Sequence, residues 1–145
     1  MKKLAIMFAI ALAGVAGACS SDKTTTDVNE LPVAAQKFVA DNFDSKVSHI
    51  VIDKELFGDS YEAILSDGTK VEFDKSGEWE KIEAPYGETV PPQLIPKSIA
   101  DYMSQHFEGH SIIKIDRDND GYEVELQNEL ELHFDTNGTF RSIDD

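Results

Sequence analysis

One hairpin is spelled twice in this chain, and that repetition restricts the fold more than any other feature. "YEAILSDGTKVEFDKSGEW" runs from Tyr61 to Trp79, and "YEVELQNELELHFDTNGTF" from Tyr122 to Phe140. Each opens Tyr-Glu and reaches Phe-Asp twelve residues on, at Phe73-Asp74 and Phe134-Asp135. A Gly follows three residues later (Gly77, Gly138), and an aromatic two beyond that (Trp79, Phe140). Tyr122, Val124 and Leu126 alternate with Glu123 and Glu125, and Leu130, Leu132 and Phe134 with Glu131 and His133. Period two is the mark of antiparallel strands with one wet face. "SDG", "KSGE" and "TNGT" supply the positive-φ residue that a tight hairpin needs. "QNE" has no Gly, so the expectation is that Asn128 takes the left-handed conformation there.

The similarity extends toward the amino terminus. "LPVAAQKFVADNF" (Leu31 to Phe43) aligns with "IPKSIADYMSQHF" (Ile95 to Phe107) at an offset of 64. Pro32 and Pro96 stand at the first helical turn, where a missing N–H is no loss. Ala35, Phe38, Val39 and Phe43 then match Ile99, Tyr102, Met103 and Phe107, a spacing that lines one helical face. "HIVIDK" (His49 to Lys54) pairs with "IIKIDR" (Ile112 to Arg117) at an offset of 63. A unit of this size makes a marginal core alone, so two units are expected to share one. The fold class expected is α+β: two tandem αβββ(β) repeats, residues 30–83 and 94–145, forming one antiparallel sheet with both helices on one face. The Pro- and Gly-containing stretch 84–93 is the linker between them.

Before the repeats, "MKKLAIMFAIALAGVAGAC" has two lysines, an apolar run from Leu4 to Val15, and Ala16-Gly17-Ala18 ahead of Cys19. Basic, apolar and small-residue segments in that order read as a secretory leader over residues 1–18. The apolar run is shorter than the roughly 20 residues a permanent membrane span requires. Cys19, the only cysteine, excludes an intrachain disulfide. Its place after the small residues resembles the bacterial lipobox, in which that cysteine is acylated, although Ala16 stands where Leu is usual. Acyl chains would anchor a chain with no spanning helix. The expectation is an outer-membrane lipoprotein, facing the periplasm or the surface, with residues 19–29 as a lipidated Cys and flexible tether.

Thirteen Lys and Arg against 28 Asp and Glu give a net charge of −15, and loss of Lys2 and Lys3 with the leader would deepen it. Such a polyanion is repelled by phosphate backbones, so nucleic acid is excluded as a partner. Membrane contact is expected through the lipid anchor alone.

The paired Tyr-Glu, Phe-Asp and Gly-aromatic units behind an "LP…F" helix resemble the PepSY-like proteins grouped with the β-lactamase-inhibitory-protein fold. The resemblance covers Leu31 to Ile143. It implies a tandem αβββ arrangement and an antiparallel sheet whose open face is available to bind protein, as the fold's inhibitor namesake uses it against a secreted enzyme. No nucleophile elbow, phosphate loop or Cys–His pair speaks for an enzyme.

By parity the wet face should carry Glu62, Ser66, Lys70, Glu72 and Asp74, then Glu123, Glu125, Gln127, Glu131, His133 and Asp135. From these, Glu62, Lys70, Glu72, Glu123, Glu125, Glu131 and His133 are the candidate residues for a protein or peptide partner, a protease or other hydrolase among the possible classes. Phe57, Trp79 and Tyr86 are candidate aromatic anchors, Trp79 being assigned rather to the core. The alternative reading is a small-ligand or calcium binder: Asp116, Asp118, Asp120 and Gly121 follow the opening of a calcium loop, although Gln127 stands where a bidentate Glu belongs. No other cofactor is expected. His106 and His110 have the spacing of helical zinc ligands but Gly109 intervenes, and His49 and His133 read as strand residues without partners. A structural envelope module with no discrete site is the third reading.

Overall fold

The computed structural model describes residues 22–144, so the leader and Cys19 lie outside the described residues. Nine strands form a single antiparallel sheet in sequence order: β1 (Lys23–Thr25), β2 (Val47–Asp53), β3 (Ser60–Leu65), β4 (Lys70–Phe73), β5 (Trp79–Glu83), β6 (Ile112–Arg117), β7 (Tyr122–Leu126), β8 (Glu131–Phe134) and β9 (Phe140–Asp144). Helix α1 (Val33–Asn42) precedes β2 and helix α2 (Lys97–His106) precedes β6. The protein is therefore α+β, a nine-stranded meander covered on one side by two helices.

Cross-strand neighbours explain why one side is covered. Ile50, Ala63, Val71, Ile82, Ile115, Val124 and Leu132 are consecutive partners across β2 to β8, and each is 0% exposed. Directly paired residues point to the same face, so this row is a continuous apolar stripe. The helices lie on it. Ala35 and Val39 of α1 and Ile99 and Met103 of α2 are buried, while Phe38 meets Phe73 edge-on at 5.8 Å and Tyr102 meets Phe134 edge-on at 5.5 Å. Tyr102 also stacks on Phe140 at 4.6 Å, and Phe38 on Trp79 at 6.4 Å. Pro32 and Pro96 are the residues just outside the helices, and their carbonyls accept from Gln36 and Ala100 N–H.

Three local expectations are corrected. The stretch 19–29 is no free tether along its whole length: β1 pairs with the edge of β2, and Val28–Glu30 form a 3-10 turn. β-branched threonines suit an edge strand without needing an apolar face. Glu30 ties the segment down by accepting from Lys23 and, at 2.8 Å, from Thr25. Second, β2 and β6 correspond two residues away from the offset read in the sequence. Ile50 stands opposite Ala63 as Ile115 stands opposite Val124, and both strands carry their bulge at the start, at Val47/His49 and Ile112/Lys114. Alternating patterns fit equally well when slid by two.

Third, Glu129 takes the left-handed backbone, φ +68°, and Asn128 does not. Both β3–β4 and β7–β8 close with a three-residue loop whose last residue is left-handed, Gly68 (φ +97°) in one and Glu129 in the other. The strained place is third in the loop, and Asn128 is second. Gly138 serves a different need. Its turn accepts the start of α2, where Ser98 Oγ donates to the Asn137 carbonyl at 3.1 Å and stands 1.9 Å from where a Gly138 Cβ would be.

Glu129→Gly should stabilise the fold by about 1 kcal/mol by removing left-handed strain, seen as a higher urea midpoint. Gly138→Ala should lower it by about 2 kcal/mol, because strain and the helix contact add.

Candidate functional site

The side of the sheet away from the helices carries two charged rows. Along one, Glu62, Glu72, Lys81, Asp116, Glu123 and His133 are successive cross-strand partners from β3 to β8. Along the other run Ile64, Lys70, Glu83, Lys114, Glu125, Glu131 and Asp144, from β3 to β9. Glu62, Lys70, Glu72, Glu123, Glu125, Glu131 and His133 all lie in these rows. Asp74 and Asp135 do not. Asp74 Oδ1 accepts from Ser76 and Glu78 N–H at 2.8 and 3.0 Å, and Asp135 Oδ1 from Asn137 and Thr139 N–H, both at 2.9 Å. The Thr139 amide first, then Asn137, hold the Asp135 carboxyl below the usual range. Ser66 and Gln127 fall in hairpin loops just past the strand ends.

Lysines divide the face unevenly. Lys81 bridges Glu72 at 3.5 Å and Asp116 at 3.3 Å, Lys70 reaches Glu83 at 3.5 Å, and Lys114 meets Glu125 at 2.7 Å. Toward β8 and β9 the rows hold Glu123, Glu131 and Asp144, with His133 among them. His133 is thus partnered after all: Nδ1 is 3.5 Å from Glu123 Oε2 and Nε2 3.1 Å from Asp144 Oδ2. Ligand atoms of Glu123, Glu131 and His133 lie within 4.8 Å of one another, the one such group of three among the described residues. His106 and His110 gain no third ligand among the described residues; His106 lies against Tyr102 at a tilt of 33° and 4.4 Å between ring centres, and His110 meets Phe107 in a T-shaped contact.

The calcium-like triad is split between two elements. Asp116 belongs to β6 and faces Lys81. Asp118 closes a tight turn, with Oδ1 accepting from Asp120 N–H at 2.7 Å and Gly121 N–H at 3.1 Å. β7 begins directly after Gly121, so no twelve-residue loop forms. Yet Asp116, Asp118 and Asp120 line one cleft of about 150 Å³ together with Glu123, His133 and Arg141. Residues read as two separate candidate sites therefore share a wall.

Trp79 is a core residue, with Arg117 over its ring at 4.4 Å. Phe57 and Tyr86 are 89% and 107% exposed. Lys81, Glu83, Lys114 and Asp144 are face residues that the sequence reading passed over. Parity could have found three of them, since Lys81 and Glu83 flank Ile82 as Lys114 and Asp116 flank Ile115.

Asp116 is the most perturbed acid on the face. Burial pushes its carboxyl up to about 6, against the pull of Lys81 and Lys114, and Glu123 adds to the rise. Because the folded value lies above the ordinary 3.8, this group favours the folded state progressively as pH falls from about 6 toward 3.8, and disfavours it above. Carboxyl NMR titration should give a midpoint near 6, and Lys81→Met should move that midpoint higher still.

The chain matches the family described as "Putative beta-lactamase-inhibitor-like, PepSY-like" over residues 59–142. No curated protein matches it. Three solved structures from Bacteroides superpose on it. A "putative periplasmic protein of unknown function" from Bacteroides vulgatus is 42% identical, with a TM-score of 0.81, covering 86% of this chain and 99% of that one. A "putative calcium-regulated periplasmic protein" from Bacteroides thetaiotaomicron is 38% identical, with a TM-score of 0.79, covering 86% and 97%. A "putative periplasmic protein from DUF2874 family", also from Bacteroides vulgatus, is 35% identical, with a TM-score of 0.80, covering 88% and 100%. With that family match and these identities over nearly the whole of each relative, the chain belongs to the PepSY-like family.

Proposed function

We propose that this protein is an exported, non-catalytic binding protein, anchored at the cell envelope by acylated Cys19, that holds a basic protein or peptide segment against the open face of its sheet. The observation that carries this reading is the uneven charge of the two rows. Lys70, Lys81 and Lys114 pair with Glu83, Glu72, Asp116 and Glu125, whereas the β8–β9 end gathers Glu123, Glu131 and Asp144 around His133, with Arg141 on the cleft wall. A lysine or arginine of the partner would enter the cleft beside Asp116 and Glu123, with steering by the chain's excess of acidic residues. Export is supported by the leader-like amino terminus and by relatives described as periplasmic. The same reading takes the chain as two fused αβββ(β) copies, supported by the repeated element order and the matching bulges. Changing Glu123, Glu125 and Glu131 together to Lys should weaken calorimetric binding of a lysine-rich peptide by about 100-fold, with a strong salt dependence in the parent protein. Unchanged affinity in the triple variant would overturn the reading.

A second reading has its own support: calcium in the cleft of Asp116, Asp118, Asp120 and Glu123, all oxygen donors suited to a hard cation, with one relative described as calcium-regulated. Titration with calcium should then release heat and raise the melting temperature, and Asp118→Asn with Asp120→Asn should abolish both. A flat titration and an unmoved melting curve dismiss it.

A further inference from the structure

The described chain begins at the same end of the sheet as two almost fully exposed apolar side chains. β1 runs antiparallel to β2 with Lys23 opposite Ile52, so Asp22 and the residues after Ile52 lie at the same end of the sheet. Burial first, and then the nearby Asp22 carboxylate, push the Asp53 carboxyl up at that end. Four residues before Lys23 is Cys19, and four after Ile52 is Leu56. Leu56 is 97% exposed and its neighbour Phe57 89%.

This tip is held in place. Lys75 Nζ donates to the Phe57 carbonyl at 3.1 Å, Lys54 pairs with Asp59, and Gly58 turns the chain at φ +128° against the Lys75 side chain. Nor does the hairpin demand apolar residues. The β6–β7 connection, in the matching place of the second half, is the wholly polar Asp118 to Gly121. Leu56 and Phe57 thus have no packing role in the fold, and they lie where an anchored chain meets its membrane. Four extended residues reach at most about 14 Å, so acyl chains on Cys19 would bring the bilayer to the level of the tip.

We infer that Leu56 and Phe57 enter the interfacial layer of the bilayer holding the lipid on Cys19, making a second, non-covalent membrane contact that stands the sheet on that end. This rests on the reading of Cys19 as acylated. Two such contacts on a lipid-held chain act together, since one tethers and the other orients. The surroundings, Asp53, Glu55 and Asp59 with Lys54 and Lys75, do not favour an anionic surface, so the partner is a zwitterionic phospholipid layer. The charged face would then project sideways from the membrane and stay open.

The test uses the full lipidated protein, first fractionated beside Cys19→Ser and then placed in phosphatidylcholine vesicles with brominated acyl chains. Phe57→Trp and Leu56→Trp are compared with Tyr86→Trp, whose neighbour Pro85 packs near Gly68 at the opposite end. Relative to the unsubstituted protein, emission added by the first two should be quenched about twofold or more, and that from Tyr86→Trp should not. Vesicle-bound protein with no quenching at either tip position, or with equal quenching at Tyr86→Trp, overturns the inference and returns the tip to solvent or a protein partner. Soluble parent protein that fractionates like Cys19→Ser overturns the anchor itself, a different failure seen at the earlier step.

Discussion

Three residue pairs between β5 and β6 decide the arrangement of everything else: Lys81 with Asp116, Ile82 with Ile115, and Glu83 with Lys114. Here one helix-and-strands half meets the other. A slip of one residue at this seam would turn the second half's apolar side outward and its glutamates into the helix layer. Ile82 and Ile115, both fully buried, penalise such a slip. The ion pair of Lys81 with Asp116 on the reverse side penalises it again, since slipping would leave a half-buried Asp116 without its cation. Each charged row crosses this same seam, so the pairing that makes the core continuous makes the candidate binding surface continuous too.

The chain between the halves contributes to that seam. Ala84 N–H donates to the Ile113 carbonyl and Val90 N–H to the Ile112 carbonyl, and Val90 is 3% exposed. What composition presents as a Pro-rich connector is pinned along the start of β6. The two halves accordingly share one rigid frame, and charges from β3 to β9 keep fixed spacings. A face that recognises charge by position needs that rigidity, because each loosely held ion pair at a surface contributes little.

Much of this was legible in the residues because strand parity is a strong signal. Tyr122 to Leu126 and Leu130 to Phe134 alternate without interruption, and their glutamates emerge on the wet side. What parity could not supply was register between distant segments. The alignment of His49–Lys54 with Ile112–Arg117 looked sound by β-branched content, yet the bulges at Val47/His49 and Ile112/Lys114 show a correspondence shifted by two. The misplaced left-handed residue has a similar origin: side-chain type favoured Asn128, whereas the loop's hydrogen bonds, Glu129 N–H and Leu130 carbonyl to Leu126, dictate the position. The candidate site was half legible. Asp116 was grouped with Asp118 and Asp120 by spacing, while its partner across the sheet, Lys81, is far away in sequence and carries no motif.

The simple order of the strands has a consequence for how the molecule is made. Every strand lies beside its neighbour in sequence, so most pairings are completed by a short hairpin rather than a long excursion. Chains built from such nearby pairings assemble faster than those needing distant ones. A polypeptide threaded across a membrane in the unfolded state could lay down hairpin upon hairpin as it emerges. Only the seam between β5 and β6, and the late arrival of β1 on the edge of β2, would have to wait for more of the chain.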